Sequence, residues 1–221
     1  MKRVIQSISA LLLTGALLSV SAHAAGPAKA SLEAKTDRLT DLMVELVPMG
    51  RIFEMLAKDD PKWPMQDKPD AVTPAQLSCL RGELSNTGYR RAKRKDVAEY
   101  VATNPSRIDD EVKLLEGGAA AVMGRLMMAG AEGERTGVKV SEQEVLGSAT
   151  PEQLASFMAF MTAPDHAGLR KLSGLGNAFS TDKSSEENEQ SGEAAGENLA
   201  TQVMLRAMGA CDVSMATLFN G

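Results

Sequence analysis

The sequence predicts an all-α protein, a single helical bundle of about six or seven helices with one disulfide. Apolar residues recur at helical spacing along most of the chain, and no stretch shows the alternation typical of a strand. The longest pattern, from residue 108 to 129, has the spacing of helices that pack lengthwise in a bundle. Two Thr-Pro-x-Gln-Leu segments, at 73–77 and 150–154, carry the signals with which helices begin.

The first 24 residues have the pattern of an export signal. Two basic residues precede an apolar run over 11–20, and Ala22-His23-Ala24 presents small residues where a signal peptidase cleaves. The run is too short to cross a bilayer and no later stretch is long enough, so we expect cleavage after Ala24 and no membrane span afterwards. This pattern predicts a periplasmic or secreted protein with a signal peptide at 1–24 and a mature chain at 25–221.

The mature chain has the length of one domain and an acidic balance. The signal contains two of the 24 basic residues and none of the 29 acidic ones, which leaves a net charge of −7. Such a charge favours solubility and argues against a nucleic-acid partner. Cys79 and Cys211 are the only cysteines, and an even number in an exported chain predicts that they form a disulfide. Two buried free thiols are the alternative.

The front of the mature chain predicts helices separated by a loop. Pro48 and Gly50 interrupt the first apolar face, so we expect a kink or break there. Residues 59–72 are rich in Asp, Lys and Pro, contain the sole tryptophan, Trp63, and predict a loop. The first face comprises Leu39, Leu42, Met43, Leu46, Phe53 and Leu56.

Three further helix starts follow in order. Thr73 begins a helix with Leu77, Leu80 and Leu84 on its buried stripe; another helix covers 87–102, and Asn104-Pro105 starts the long one, with acidic residues 109–111 complementing its dipole. The seam of that long helix is Ile108, Val112, Leu115, Ala119, Val122, Leu126 and Ala129. Because Gly117, Gly118 and Gly124 cost helix propensity within it, they predict the close approach of another helix.

The back of the chain predicts shorter helices. We expect a glycine-rich break at 130–137 and a capping box at Ser141–Glu144. Thr150 begins a helix bearing Leu154, Phe157, Met158 and Met161, and Pro164 begins a short one bearing Leu169, Leu172 and Leu175 that Gly176 closes. Residues 180–198 predict a mobile acidic loop, whose second half could be the exposed start of the last helix. That helix carries Met204, Met208, Cys211, Met215 and Leu218.

One segment of the chain resembles a known family. The residues concerned are Thr150-Pro151-Glu152-Gln153-Leu154, Phe157, Phe160, Ala163-Pro164, Gly168 and Leu169. They are similar to a group of small exported α-helical bacterial proteins that form a domain-of-unknown-function family, over roughly residues 150–175. Met161 and Thr162 depart from that family's more usual Tyr and polar residue. The resemblance implies a helical fold and export, and it carries over no activity and no catalytic residue.

The sequence offers no catalytic constellation, and it predicts a protein that is not an enzyme and needs no cofactor. His166 is the single histidine left after processing, and the adjacent Asp165 points elsewhere on a helix, so a surface histidine is the favoured interpretation. One histidine and two bridged cysteines cannot form a zinc site. Paired carboxylates acting on envelope polymers are an alternative, although Trp63, Tyr89 and Tyr100 are the only aromatic residues of the type sugar sites use.

Methionine is unusually abundant, with 12 in the mature chain. The clusters are Met123, Met127 and Met128; Met158 and Met161; and Met204, Met208 and Met215. A Met-based copper carrier, with thioether ligands for Cu(I), is one hypothesis. The favoured interpretation is that methionine fills gaps in a core poor in aromatic residues, and a third is an adaptable groove for partners.

A basic run offers a possible anion-binding patch. Arg90, Arg91, Arg94 and Lys95 cover one side of the helix at 87–102, while Tyr89, Val97 and Val101 cover another. This patch could bind an anionic envelope polymer or lipid head groups through charge. A solvated face, partly neutralised by nearby carboxylates, is the commoner outcome. Together these observations predict an exported, non-enzymatic protein that binds another envelope protein or an anionic envelope polymer.

Overall fold

The computed structural model describes residues 27–138, 141–176, 178–214 and 216, and within them all regular structure is helical. The all-α single bundle is therefore confirmed. Its helices are α1 Pro27–Leu46, α2 Met49–Asp59, α3 Pro74–Leu84, α4 Asn86–Thr103, α5 Ile108–Leu114, α6 Ala120–Thr136, α7 Glu142–Gly147, α8 Pro151–Thr162, α9 Ala167–Ser173 and α10 Ser185–Ala210. The predicted signal peptide and two residues of the last predicted stripe, Met215 and Leu218, lie outside the described residues.

The number of helical segments exceeds the expectation for two physical reasons. A π turn at Leu115–Ala119 joins α5 to α6, and Gly118 within it has non-helical backbone angles, so the long predicted helix is present as one rod with a kink at Gly118. The break at Pro48 likewise divides the first apolar face between α1 and α2. The short segments α7 and α9 follow the helix starts predicted at Ser141 and Pro164.

The core forms around α1, which packs against α4 and α6. Leu39, Met43 and Leu46 of the predicted first face are completely buried. The helix is interrupted between Leu46 and Met49, which confirms the break expected at Pro48. This break lets α2 turn away and pack on α4.

The predicted loop between α2 and α3 is confirmed, with one short 3₁₀ turn at Pro69–Ala71. Its tryptophan is not exposed. Trp63 is 7 % exposed, and its ring centroid lies 5.4 Å from that of Phe53 in α2. The loop thus closes the core beside α2 by burying a large aromatic side chain.

Two of the three predicted capping boxes are present. The hydroxyls of Thr73 and Thr150 accept the backbone N–H of Gln76 and Gln153, and the glutamine side chains accept the threonine N–H in return. The third prediction is wrong: α7 does begin after Ser141, but that hydroxyl donates to the side chain of Gln143. The Ser141 hydroxyl thus bonds to a neighbouring side chain and not to the backbone N–H groups of the first turn of α7.

The glycines of the long rod mark close helix crossings, as predicted. A Cβ on Gly118 would lie 2.7 Å from the Gln153 Cα in α8, and Gly118 has a φ of +126° that side chains rarely adopt. A Cβ on Gly124 would collide with the carbonyl oxygen of Glu45 in α1. Ser156 Oγ, also in α8, donates to the Leu114 carbonyl beside the π turn. These contacts seat α1 and α8 against the rod.

The predicted ends of the rod need correction. The rod starts at Ile108 and not at Asn104-Pro105, because Asn104 caps the end of α4 by donating its N–H to the Tyr100 carbonyl. The break expected at 130–137 is also wrong, since α6 continues to Thr136 and ends where Gly137 adopts a left-handed conformation. An Arg135–Glu132 ion pair spans the last turn of α6.

Two expectations near the C-terminus also change. The short helix closes at Gly174, whose φ is +90°, and not at Gly176. Most of the segment predicted as an acidic loop at 180–198 is helical, because Ser184 and Glu187 form a capping box that starts α10. The alternative that its second half begins the last helix is the correct one.

The predicted disulfide between Cys79 and Cys211 is confirmed. It joins α3 to the residue that caps α10, with the two Cα atoms 5.7 Å apart. Cys211 is buried, as the inward position on the predicted stripe requires. Beside the bond, Gln76 Nε2 donates to the Asp212 carbonyl at 2.9 Å. The end of α10 is therefore attached to the start of α3.

The close crossing of α1 and α6 can be tested with a matched pair of substitutions. Gly124→Ala should lower the free energy of unfolding by about 1–3 kcal/mol, because its Cβ has no room beside the Glu45 carbonyl. Gly130→Ala lies in the same helix with open space around it, and should raise stability by about 0.5–1 kcal/mol through helix propensity. Urea unfolding monitored by circular dichroism measures both, and equal effects of the same sign would contradict the crossing.

Candidate functional site

A cleft of about 900 Å³ opens between α4, α9 and α10. This is the size range of small-molecule sites. Residues from these helices and their flanks line it: Glu83, Tyr89, Ala92, Lys93, Lys95, Asp96, Glu99, Tyr100, Thr103, Asn104, Gly168, Lys171, Leu172, Gly174, Leu199, Gln202, Val203, Arg206, Ala207 and Ala210. Its walls are mostly apolar, with charged side chains distributed among them.

The buried face of α4 places a lysine against the cleft. Tyr89, Lys93, Val97 and Val101 follow one another at a spacing of four, so they share one face of the helix, and all four are buried. Lys93 is 6 % exposed, and its Nζ donates to the Leu172 carbonyl in the last turn of α9 at 3.2 Å. It also lies 5.7 Å from the ring centroid of Tyr89. Among the described residues, no carboxylate forms an ion pair with Lys93.

A tyrosine next to this lysine brings a second buried polar group to the cleft. Tyr89 is 2 % exposed, and its hydroxyl has no hydrogen-bond partner among the described residues. Burial raises the pKa of Tyr89 above its ordinary value, whereas burial lowers the pKa of Lys93. The cleft therefore contains two buried donor groups, an ammonium and a hydroxyl, with unused hydrogen-bonding capacity.

An ion pair joins two walls of the cleft. Arg206 Nη1 of α10 donates to Asp96 Oδ2 of α4 at 2.7 Å. Both charges also influence the pKa values of Tyr89 and Lys93, since Asp96 raises each of them and Arg206 lowers each. The pair thus lies beside the two donors, and its own charges largely cancel.

A buried carboxylate lies behind another part of the cleft wall. Glu111 is 1 % exposed, and its Oε1 accepts from the Tyr100 hydroxyl at 2.7 Å and from Arg107 Nε at 3.3 Å. Burial and this hydrogen bond raise the pKa of Tyr100, which lines the cleft. Of the acidic residues 109–111, Asp109 and Asp110 are exposed at the start of α5, whereas Glu111 points inward.

The predicted anion-binding patch does not form a free positive surface. Its three arginines each pair with a carboxylate: Arg90 with Asp41 at 2.7 Å, Arg91 with Glu83 at 2.6 Å, and Arg94 with Asp37 at 2.6 Å. This side of α4 is therefore better described as a solvated, neutralised face. The neutralising carboxylates belong to α1 and α3. Lys95 is exposed at the rim of the cleft.

The other sequence candidates lie away from the cleft. His166 sits in a 3₁₀ turn with its Nδ1 buried and, within the described residues, unpartnered. The methionine clusters mostly pack into or against the core, since Met123 and Met208 are buried and Met127, Met161 and Met204 are partly buried against them. Met158 is exposed. In the part of the chain that the structure describes, no three His, Cys, Asp or Glu residues are grouped to hold a metal ion.

Sequence reasoning assigned no role to Lys93 and missed its burial. The signal was available, because Lys93 lies four residues after Tyr89 and four before Val97, on the apolar side of the same helix. The cleft itself left no such signal. It depends on how far α9 and α10 stand from α4, which no local pattern encodes.

Comparisons with protein-family models, with curated proteins and with solved structures find no match for this chain. The resemblance noted at residues 150–175 stays a prediction. None of the helices in the described ranges combines the length and apolar character that crossing a membrane requires.

The burial of Lys93 predicts a measurable effect on stability and its pH dependence. Lys93→Met should raise the free energy of unfolding by about 1 kcal/mol at pH 7, because it removes a desolvated charge that has no counter-ion. At pH values between the lowered pKa of Lys93 in the folded state and its ordinary value of 10.5, the unfolded state binds more protons than the folded state. The free energy of unfolding of the wild type therefore rises with pH relative to that of the variant.

Urea unfolding at pH 7 and near pH 9.5 measures this difference, and both proteins retain Tyr89, so its titration cancels. Lys113→Met, which removes an exposed lysine from α5, is the matched control and should leave stability nearly unchanged. A Lys93→Met variant that is less stable than wild type at both pH values would contradict the argument.

Proposed function

We propose that this protein is exported and acts as a non-enzymatic binding protein of the cell envelope, with the cleft between α4, α9 and α10 as its binding site. The single observation that carries this proposal is the cleft, with its apolar walls, a buried ammonium that has no counter-ion and a buried hydroxyl that has no hydrogen-bond partner among the described residues. Concave apolar sites with a few polar groups inside them are the usual form of small-ligand sites.

Energetic cost supports a binding role for the cleft. Burying a charge or a hydroxyl without a partner is unfavourable, and it persists where a function requires it. Many charged side chains of the described surface are paired, as the three arginines on α4 illustrate. Lys93 is buried without a carboxylate partner, the Tyr89 hydroxyl is buried without a hydrogen-bond partner among the described residues, and both residues line the same cleft.

Export is proposed on separate grounds. The N-terminal sequence has the charge, apolar run and small residues of a signal peptide, and the mature chain uses both of its cysteines in a disulfide. Disulfides form and persist in oxidising compartments such as the periplasm. The two alternatives from sequence, a carboxylate-based hydrolase of envelope polymers and a Met-based copper carrier, stay predictions. Tyr89 and Tyr100, two of the aromatic residues named for the hydrolase, line the cleft, but its carboxylates Glu83 and Asp96 are each paired with an arginine.

Filling the cleft should abolish binding. An apolar fluorescent probe such as 1-anilinonaphthalene-8-sulfonate should bind the folded protein, and Ala92→Trp or Val203→Trp should reduce that binding about tenfold, because each places an indole in the cleft from a different wall. Ala155→Trp, on an exposed position of α8, is the matched control and should bind like the wild type. Equal binding by all four proteins would place the probe elsewhere and contradict the proposed site.

Processing after Ala24 tests the proposed export. Expression in a bacterium should give an envelope-fraction protein whose N-terminal sequence starts at Ala25. Leu12→Arg puts a charge into the apolar run and should keep the chain unprocessed in the cytoplasm, whereas the conservative Leu12→Ile should be exported. A wild-type chain that keeps residues 1–24 in the cytoplasm would contradict export.

A further inference from the structure

We infer that the cleft binds a single-chain amphiphile with one negative charge, a carboxylate-headed hydrocarbon whose head group accepts hydrogen bonds from Lys93 and Tyr89. This inference rests on the proposed binding function and names the class of ligand. It depends on three features of the cleft: two buried donors with unused hydrogen-bonding capacity, the buried charge without a counter-ion, and the apolar wall.

The donors define the head group. The Lys93 ammonium has three hydrogens and uses one on the Leu172 carbonyl, and the Tyr89 hydroxyl has no partner among the described residues. Both groups donate, and Lys93 carries a positive charge, so the complementary ligand atom is an anionic acceptor. A carboxylate presents two oxygens and can accept from both groups at once.

The charge balance favours a monoanion. Lys93, Lys95, Lys171 and Arg206 line the cleft together with three carboxylates, Glu83, Asp96 and Glu99. Asp96 pairs with Arg206 and Glu83 with Arg91, so their charges are already compensated. Lys95, Lys171 and Glu99 are exposed to solvent, which screens their charges. Lys93 is therefore the one buried charge of the lining without a counter-ion among the described residues, and it matches one negative charge. A phosphate monoester carries more charge than this single buried ammonium neutralises.

The remaining wall defines the tail. Leu172 of α9 and Leu199, Val203 and Ala207 of α10 present apolar side chains to the cleft. The last three lie at spacings of four, on one face of α10. A hydrocarbon chain laid along this face removes apolar surface from water on both partners, which stabilises the complex in proportion to the area buried.

Calorimetric titration of the mature protein with matched ten-carbon ligands tests the inference. Decanoate should bind at least tenfold more tightly than decanol and decylamine, because a hydrogen-bonded charge contributes more than a neutral or repelled head group. Lys93→Met should remove most of the preference for decanoate over decanol, and Tyr89→Phe should reduce it about fivefold. Lys113→Met, which removes an exposed lysine outside the cleft, should keep the full preference.

The outcomes separate this inference from the proposed function. If decanoate and decanol bind alike, or if the preference survives Lys93→Met, the head-group assignment is overturned, while loss of binding in Ala92→Trp still supports the cleft as a site. If decyl phosphate binds more tightly than decanoate, the monoanion argument is wrong.

If a short apolar peptide with a free C-terminal carboxylate outcompetes decanoate and its amidated form does not, the cleft binds protein C-termini and the hydrocarbon tail is the wrong ligand class. If no ligand or probe responds to Ala92→Trp, both proposals fail.

Discussion

The covalent bond between Cys79 and Cys211 is the constraint on which the cleft depends. α10 packs mainly against α3, and the disulfide holds its C-terminal end there. A cross-link between residues 132 positions apart removes about 4–5 kcal/mol of loop-closure entropy from the unfolded chain in the chain-entropy model. About one turn before this end of α10, the ion pair between Arg206 and Asp96 connects the helix to α4. Without these two attachments α10 would have little reason to stand beside α4 at the width of the cleft.

Local chemistry predicted the features of this fold that depend on a few neighbouring residues. The Thr73 and Thr150 caps form because each Thr-Pro-x-Gln segment contains both halves of the reciprocal hydrogen bonds. Gly124 could be assigned to a close crossing because a glycine inside a helix needs compensation. The disulfide followed from cysteine number and the predicted compartment alone.

Features that depend on distant parts of the chain could not be predicted in this way. The continuation of α6 past Gly130 overrides weak local propensity. The pairing of Arg90 and Arg94 with carboxylates of α1 depends on two helices meeting, which composition does not reveal. The cleft was the least predictable feature, because its walls come from three separate helices, α4, α9 and α10. Periodicity along any one of them shows only which face is apolar.

The order in which the chain supplies these walls has a consequence for shortened chains. The contacts of α1 and α4 with each other and with the rod lie within residues 27–136, whereas Leu199 to Ala210 come later. The helical body therefore needs neither Cys211 nor α10 for these contacts. A chain truncated before α10 would keep that body and lose one wall of the cleft, and with it the proposed binding site.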